Sequence, residues 1–437
     1  MKESFLLKSP LAGRLYSTVA ADLPIIDYHN HLAVDELARD TRYENITDLW
    51  VSADPYKHRL MRMSGIPEQI ITGECDPRER FAAYCRAFPY LCGTAVYDFS
   101  LLELHRVFGI DEIPSAKNAD RLYDRLNEML ASPEFSSHAL LRRFGVEYQS
   151  PVATIDADVS DYTEGLAPSL RGDSLLTPAA GSAADLDGYI KGIEKNLDRL
   201  CGAGCRFADH SLDDGFTYLA DDGKNGRRFA MLNERPADLT DSDRYALSSE
   251  ILRRLAPLYA DRRITLLLHL GAKRQTSDRL RRLAGPVGGY AAIGSTPSPT
   301  DVCNMLGDFE RVGGLPSTVL FPLNMSQMPT LAILGGSFSE DGVAGKIQLG
   351  PAWWWCDHTY GIGATLDAQS SFGLLSEFIG MTTDSRSILS FARHDYFRRI
   401  FCSYLADLAE SGRAPGDEAF LRDVVRKVCY ANAKARI

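Results

Sequence analysis

Residues 25–32 of this chain read IIDYHNHL, an apolar run that ends in two histidines, His29 and His31. In a β-strand, residues i and i+2 point to the same side, so the two imidazoles are predicted to converge just past the carboxyl end of a strand. Converging imidazoles suggest a shared metal ion, but a pair of surface histidines after a buried strand has the same pattern. The rest of the chain must therefore supply a third ligand.

Short apolar runs of this kind recur along the chain, each followed by polar residues and then by a helical pattern. Alternating buried strands and amphipathic helices are typical of a parallel α/β protein. Eight runs predict a (β/α)8 barrel of the TIM type, although a doubly wound open sheet uses the same elements. The predicted strands occupy residues 23–31, 144–151, 166–173, 202–210, 264–272, 317–324, 345–354 and 377–385.

The gap between the first two runs is helical in pattern. Residues 33–143 contain no convincing strand, and we interpret them as a helical insertion subdomain after strand 1. Residues 1–437 then form a single (β/α)8 barrel domain that carries this insertion.

The bulk composition is that of a soluble globular protein. Of the 437 residues, 45% are hydrophobic and 24% are charged, and the net charge is −10. Such a chain lacks the basic surface that nucleic-acid binding needs, and no apolar run is long enough to predict a membrane span. Nine cysteines without a CxxC pair, and a start without a signal-peptide pattern, predict reduced thiols and a cytoplasmic protein.

Histidines and arginines are concentrated at the predicted carboxyl ends of the strands, which form the functional face of a barrel. Turns alone would place Gly, Asn, Asp and Ser there, so this pattern predicts an active site. The side chains at those ends are His29, His31, Gln149, Ser150, Arg171, Asp173, Asp209, His210, His269, Asn324, Trp353, Trp354, Trp355, Asp384 and Arg386.

Three of these side chains, His29, His31 and Asp384, form a candidate metal site. Two imidazoles and one carboxylate leave coordination positions open, as in a catalytic rather than a structural site. Zinc is the first expectation, and manganese, iron or cobalt would accept the same ligands. Taken alone, Asp384 in TDSRS also fits a helix cap. The predicted eighth strand would lie beside strand 1, however, and that favours the ligand interpretation.

Other strand-end residues are candidates for substrate contacts. Arg171 and Arg386 are suited to clamp a carboxylate or a phosphate, although surface arginines are common. His269 ends the apolar strand LLLHL and is either a core residue or a catalytic one. In the run WWW at 353–355, at least one ring should point inward, where it would suit the face of a sugar or form an apolar lid.

Longer motifs in the chain resemble the uronate isomerases, the glucuronate isomerase family of the amidohydrolase superfamily. They read DYHNHL, DLWVSADPYKHRLMR, LLELHRVFGI, GCRFADHSLDD, LHLGAKR, GKIQLGPAWWW and LLSEFIGMTTDSRSILSFARHDYFRRIFC. The resemblance implies a metal-dependent aldose–ketose isomerase that interconverts D-glucuronate with D-fructuronate, and D-galacturonate with D-tagaturonate. It also implies the barrel fold, a small sugar acid as partner and no organic cofactor. A homo-oligomer is compatible with it.

The resemblance assigns the metal and the proton transfer to three residues. It implies that His29, His31 and Asp384 bind a divalent metal. Isomerisation moves a proton between C2 and C1 through a cis-enediol, and a weakly ligating carboxylate such as Asp384 is then the expected base.

Tyr56 and Arg386 join Asp384 as the implied catalytic residues, and His269 is added to them from its strand-end position. An arginine would bind the uronate carboxylate or steady the enediolate. The expected substrate-binding residues are Arg171, Arg386, Trp353, Trp354 and His58.

Several positions depart from the family pattern. The motif HYKWR reads PYKHR over residues 55–59, so its histidine is Pro55, and His58, one helical turn later, is a candidate replacement. The other changed positions are Asp98, Leu101, Gln149, Ser150, Ala291 and Ser295. These changes leave the preferred epimer open. A metal-dependent hydrolase of a lactone or an amide, or a sugar-acid-binding protein without catalysis, are the alternatives.

Overall fold

A curled parallel sheet of seven strands organises the chain in the computed structural model, which describes residues 2–437. The strands of the chain are β1 (Ile25–Asn30), β2 (Val146–Ala153), β3 (Ser169–Arg171), β4 (Phe207–Leu212), β5 (Thr265–Leu270), β6 (Ala272–Lys273), β7 (Ala292–Ile293), β8 (Thr318–Pro322) and β9 (Ile347–Leu349). The parallel sheet has the order β1-β2-β3-β4-β5-β8-β9, and β6 and β7 form a separate antiparallel pair.

Helices precede, connect and follow these strands. The α-helices are α1 (Pro10–Thr18), α2 (Val34–Ala38), α3 (Pro55–Met63), α4 (Glu68–Ile71), α5 (Pro77–Ala87), α6 (Ala95–Phe108), α7 (Ala119–Leu130), α8 (Ser137–Phe144), α9 (Leu186–Gly202), α10 (Asn225–Glu234), α11 (Asp241–Asp261), α12 (Asp278–Ala284), α13 (Pro299–Arg311), α14 (Met328–Ala332), α15 (Leu334–Ser337), α16 (Thr359–Phe372), α17 (Ala392–Glu410), α18 (Glu418–Arg426) and α19 (Asn432–Lys434). Short 3-10 turns cover Ala20–Asp22, Phe88–Leu91, Pro133–Phe135, Asp173–Leu176, Pro236–Asp238, Met325–Gln327, Trp354–Cys356, Leu375–Glu377 and Ile388–Phe391, and π-helical turns cover Asp48–Ser52 and Lys427–Ala431. None of the helices formed by residues 2–437 has the length and apolar character needed to cross a bilayer.

Buried apolar residues explain why the central strands form. β5 reads TLLLHL and is buried along its whole length, as expected for a parallel strand covered on both faces. Its two neighbours in the sheet, β4 and β8, are buried almost throughout. The sequence predictions for seven of the eight strands are therefore confirmed.

The eighth predicted strand, at 377–385, is wrong as a strand. Asp384 has a φ of 47° and Gly380 a φ of 81°. Both residues are in the left-handed region of backbone space, which interrupts the regular hydrogen bonding of a β-strand. The segment still lies against β1, because Asp384 N donates to His29 O at 3.1 Å and His31 N donates to Ser385 O at 2.8 Å. The sheet therefore has seven strands, and the complete eight-stranded barrel is not confirmed.

Between β1 and β2, residues 31–145 hold helices α2 to α8 and no strand. Buried side chains of this segment, such as Trp50 and Tyr84, belong to the same hydrophobic cluster as Tyr28 of β1 and Tyr396 of α17. The helices thus share a core with the sheet. Their interpretation as an insertion subdomain stays a prediction.

Asp27, in the middle of β1, fixes the segment that carries Asp384. Its carboxylate is fully buried and accepts hydrogen bonds from Thr382 Oγ1, from Thr383 N and Oγ1, and from the side chains of Asn30 and His394. Burial raises the pKa of Asp27, but these hydrogen bonds outweigh it and hold the pKa below its usual value.

Replacing Asp27 by alanine is expected to lower the free energy of unfolding by about 3 kcal/mol, because several buried donors lose their acceptor at once. Urea denaturation followed by circular dichroism measures this loss. Asp407→Ala, on an exposed position of α17, is the matched control and should stay within about 0.5 kcal/mol of the parent. Equal stability of the two variants would contradict this role for Asp27.

Candidate active site

A cavity of about 150 Å³ opens at the carboxyl ends of the strands. All of the predicted site residues except His58 line it: His29, His31, Tyr56, Arg171, His269, Trp353, Trp354, Asp384 and Arg386. The sheet topology explains this gathering, because the carboxyl ends of parallel strands meet at one edge. The roles assigned to these residues remain predictions.

His29, His31 and Asp384 converge, as the sequence predicts. Asp384 Oδ1 lies 3.4 Å from His29 Nε2 and 3.0 Å from His31 Nε2, and the two rings are 5.4 Å apart. Both ring nitrogens of His29 are buried without a hydrogen-bond partner among residues 2–437. Because buried polar atoms normally have partners, this arrangement fits a bound cation.

The ionisation of two of these groups suits metal binding. The two histidines hold the pKa of Asp384 well below its usual value despite its burial, so the carboxylate is charged at neutral pH. Burial lowers the pKa of His31 to about 4, so its imidazole is neutral. Burial also lowers the pKa of His29, but Asp209 and Asp384 raise it above the usual value. Metal ligation requires neutral imidazoles and an ionised carboxylate.

An unusual backbone conformation at Asp384 places its side chain next to His29 and His31. Its φ of 47° is uncommon for a residue with a side chain, and such conformations persist only where the surroundings hold them. The hydrogen bonds from the segment to β1 and to Asp27 provide that restraint. The sequence predicted Asp384 as a ligand, which stays a prediction, but it wrongly assigned the local backbone to a strand.

Asp209 is a buried carboxylate next to the candidate metal ligands. It was one of the predicted strand-end side chains but was given no catalytic, metal-binding or substrate-binding role. It is the third residue of β4. Its Oδ1 lies 3.9 Å from His29 Nδ1, and its Oδ2 lies 3.8 Å from His269 Nδ1. Its position at a predicted strand end was the signal that could have found it. His29, Asp209 and His269 form a second group with metal-binding spacing, and a carboxylate behind a ligating histidine also orients the ring.

Arg171 neutralises Asp209. Its Nη1 donates to Asp209 Oδ2 at 2.7 Å, and its Nη2 lies 2.7 Å from Asp173 Oδ2. Burial raises the pKa of Asp209, and Arg171 opposes that rise. The observed partners of Arg171 are thus carboxylates of the protein, and its predicted contact with substrate would be made from the cavity wall.

Arg171→Met is expected to lower the free energy of unfolding by about 3 kcal/mol, because a fully buried Asp209 loses its countercharge. Adding Asp209→Asn should recover most of that loss, since the carboxylate that still lacks Arg171, that of Asp173, is partly exposed to solvent. Urea denaturation of the parent, the two single variants and the double variant measures the coupling. Simple additivity of the two substitutions would contradict the pairing.

Tyr56 is positioned by the start of α3 and by a buried arginine. Asp54 accepts hydrogen bonds from Tyr56 N and Lys57 N, and so begins the helix with Pro55 in its first turn. The Arg393 guanidinium lies 4.9 Å from the centre of the Tyr56 ring. Burial raises the pKa of Tyr56 well above its usual value, so the phenol keeps its proton.

Of the three consecutive tryptophans, Trp353 packs in the core and also lines the cavity, and Trp354 lines the cavity from a half-buried position. Trp353 is buried, donates from Nε1 to Phe321 O at 3.0 Å and lies 4.5 Å from the His269 ring. The half-buried Trp354 also lines the cavity, and the Arg274 guanidinium lies 5.1 Å from its ring. Burial lowers the pKa of His269 well below its usual value, so this imidazole is neutral at the cavity wall.

Several cavity residues had been given no catalytic, metal-binding or substrate-binding role, although Trp355 was one of the predicted strand-end side chains. They are Pro55, Ser211, Arg274, Pro286, Val287, Gly289, Tyr290, Ala291 and Trp355. Ala291 contributes its carbonyl, which accepts from Trp355 Nε1 at 3.1 Å and from Arg59 Nη1 at 3.4 Å. These residues come mostly from the loop between β6 and β7, whose path over the cavity no strand periodicity reveals.

Other predicted or changed positions lie away from the ligands. His58 lines a neighbouring cavity, and His210 turns outward, with its Nε2 2.8 Å from the Tyr259 hydroxyl. Asp98 accepts from the Tyr396 hydroxyl at 3.2 Å. Gln149 and Ser150 are buried in β2. All nine cysteines are unpaired, as expected for reduced thiols.

Comparison with known proteins places the chain among uronate isomerases. The family model described as glucuronate isomerase matches residues 1–165 and 173–436, so the unmatched residues 166–172 include Arg171. Curated uronate isomerases from Caldanaerobacter subterraneus subsp. tengcongensis and Marinomonas sp. are each 34% identical over 99% of this chain and 98% of their own length.

Solved structures agree with this result. A uronate isomerase from Thermotoga maritima superposes with a TM-score of 0.91 at 25% identity, over 100% of this chain and 99% of its own. A glucuronate isomerase from Caulobacter crescentus superposes with a TM-score of 0.89 at 22% identity, over 100% of this chain and 96% of its own, which bears on the fold alone.

Proposed function

The chain belongs to the glucuronate isomerase family, and on that premise we propose that it is a metal-dependent aldose–ketose isomerase of hexuronates. The proposed reactions are D-glucuronate to D-fructuronate, D-galacturonate to D-tagaturonate, or both. One observation carries the proposal: the converging ligand set of His29, His31 and Asp384 shares a cavity with Arg386, which has no carboxylate partner among residues 2–437.

The metal would be held by His29 Nε2, His31 Nε2 and Asp384 Oδ1, with zinc the first candidate and manganese, iron or cobalt as others. Bound there, it would act as a Lewis acid that polarises oxygens of the sugar acid and so acidifies the neighbouring carbon. Its loss should remove activity without unfolding the sheet, because the ligands lie at the strand ends and the hydrophobic core lies beneath them.

The protein's own groups would bind the open-chain sugar and move the proton. Arg386 is suited to pair with the carboxylate or with the enediolate oxygen. Asp384, charged at neutral pH, is the proposed acceptor of the proton from C2 and its donor to C1. The protonated Tyr56 hydroxyl can donate a hydrogen bond to a developing oxyanion, and the rings of Trp353 and Trp354 exclude water.

A hydrolase of the same superfamily would use the same ligand set with an activated water. The curated relatives at 34% identity are named uronate isomerases over nearly their whole length, which favours isomerisation. The free arginine in the cavity also suits an anionic substrate better than a neutral amide.

Metal dependence is tested by removal and return of the ion. Protein treated with a chelator and then desalted should lose ketose formation from either hexuronate, and one equivalent of zinc or manganese should restore it. Circular dichroism on the same samples checks that the fold persists. Full activity in protein shown by elemental analysis to be metal-free would contradict the proposal.

A further inference from the structure

A second cavity, of about 310 Å³, lies next to the active-site cavity. Arg386 and Val287 line both of them, so these two side chains form the partition. The far wall of the second cavity includes His58 of α3 and Arg80 of α5, with Ser52 beside them. The proposed function assigns this space no role.

The lining of this cavity is cationic, although Asp54 and Glu68, outside the lining, oppose the effect of burial on the pKa of His58. It includes two arginines and no Asp or Glu. Arg80 donates to Ile70 O at 2.8 Å, to Ser52 Oγ at 3.0 Å and to Gly73 O at 2.5 Å, all of them neutral acceptors. Neither Arg80 nor Arg386 has a carboxylate within ion-pair distance in the part of the chain that the structure describes. Buried or half-buried guanidinium groups normally pair with anions.

His58, which lines the same cavity, has a ring nitrogen without a hydrogen-bond partner in the described part of the chain. Its side chain is 93% buried, since only 7% remains exposed, and its Nε2 has no hydrogen-bond partner among residues 2–437. Burial lowers the pKa of His58, so the free imidazole is neutral and carries one ring N–H. The Nε2 nitrogen is enclosed by protein, so the part of the ring that stays exposed and lines the cavity is the part that a ligand oxygen would contact.

We propose that the cavity lined by His58, Arg80 and Arg386 is an oxyanion subsite that takes a carboxylate or a phosphate. The oxyanion is either free in solution or the second anionic group of a sugar acid whose other end lies in the active-site cavity. The subsite itself stands on the geometry of the cavity, whereas its use by the substrate rests on the proposed function. Arg386 then faces two anionic positions, one on each side of the partition.

The binding test uses the full-length, zinc-loaded protein with 13C-labelled histidines and inorganic phosphate as the probe. The His58 Cε1–H signal is identified as the one that His58→Phe removes. It should shift saturably with phosphate. Phosphate affinity, measured for each variant by isothermal titration calorimetry, should fall about 10-fold in His58→Phe, because one hydrogen bond to a charged group is lost. Arg281→Gln removes an exposed cation from the neighbouring α12 and should leave that affinity unchanged.

Two further arms distinguish the sources of the oxyanion. If the ligand is free, phosphate still shifts the His58 signal in the presence of saturating hexuronate. If it is part of the sugar acid, a six-carbon dicarboxylic sugar acid shifts the same signal and binds more tightly than a hexuronate in the parent but not in His58→Phe. Either result supports the subsite, whether or not the protein isomerises hexuronates.

Three results would overturn the subsite. They are an unmoved His58 signal with both probes up to about 50 mM, equal affinities of the parent and His58→Phe, and a larger affinity loss in Arg281→Gln than in His58→Phe. His58→Trp gives a second, independent check, because the larger ring fills the cavity and should also abolish the shift of neighbouring signals. Thermal unfolding confirms that each variant is folded.

Discussion

Replacing Asp384 by asparagine is expected to lower kcat/KM for hexuronate isomerisation by on the order of 10³-fold, equivalent to about 4 kcal/mol of transition-state stabilisation. The substitution keeps the shape of the side chain but removes the charge that lies between His29 and His31. It therefore weakens the proposed metal site and removes the proposed base in one step. Initial rates and elemental analysis of the purified protein measure the two effects separately.

Asp407→Asn is the matched control, because it makes the same chemical change at an exposed position of α17. It should retain both metal and activity. If Asp384→Asn keeps one equivalent of metal and loses only turnover, Asp384 acts mainly as the base. Unchanged turnover in Asp384→Asn would show that Asp384 is neither the base nor an essential metal ligand.

Arg386→Gln is expected to lower kcat/KM by on the order of 10³-fold, because the neutral amide cannot replace a charge-assisted bidentate contact. The split between kcat and KM tells what Arg386 binds. A rise in KM at constant kcat indicates the substrate carboxylate, whereas an equal fall in kcat and kcat/KM indicates the enediolate. The steady-state kinetics of both hexuronates decide between these outcomes.

Arg281→Gln serves as the control for this substitution too, since it removes an exposed charge from α12, outside the cavity lining. It should leave kcat/KM within about twofold of the parent value. Arg386→Gln with parental kinetics for both sugars would mean that another cation, such as Arg274, binds the substrate.

Local periodicity was enough to predict most of the sheet. A strand such as β5 is apolar along its length and stands between helical segments, so its sequence alone identifies it. The segment at 377–385 begins with apolar residues, as a strand would, but does not adopt the backbone of a strand. Its left-handed residues depend on hydrogen bonds to β1 and to Asp27, contacts that span about 350 residues of sequence and leave no local pattern.

In the candidate site too, some features were predictable from the sequence and others were not. The convergence of His29 and His31 was predictable because their spacing fixes a common side of one strand. Asp384 was added because its segment was predicted to lie beside strand 1, and the family motif agreed. The pairing of Asp209 with Arg171 was not predictable, because it joins the ends of two strands. His58 was predicted to contact substrate from its helical spacing to Pro55; it lines the adjoining cavity, and its contact with substrate stays a prediction.

The most direct test of the account is proton NMR of zinc- or manganese-loaded protein incubated in deuterated water with D-glucuronate, and separately with D-galacturonate. Growth of the ketose signals from at least one sugar is the predicted result, with any exchanged deuterium at C1 as a proton transfer between C2 and C1 requires. The relative rates then give the preferred epimer. No ketose from either sugar, with protein shown to hold its metal, would contradict hexuronate isomerisation.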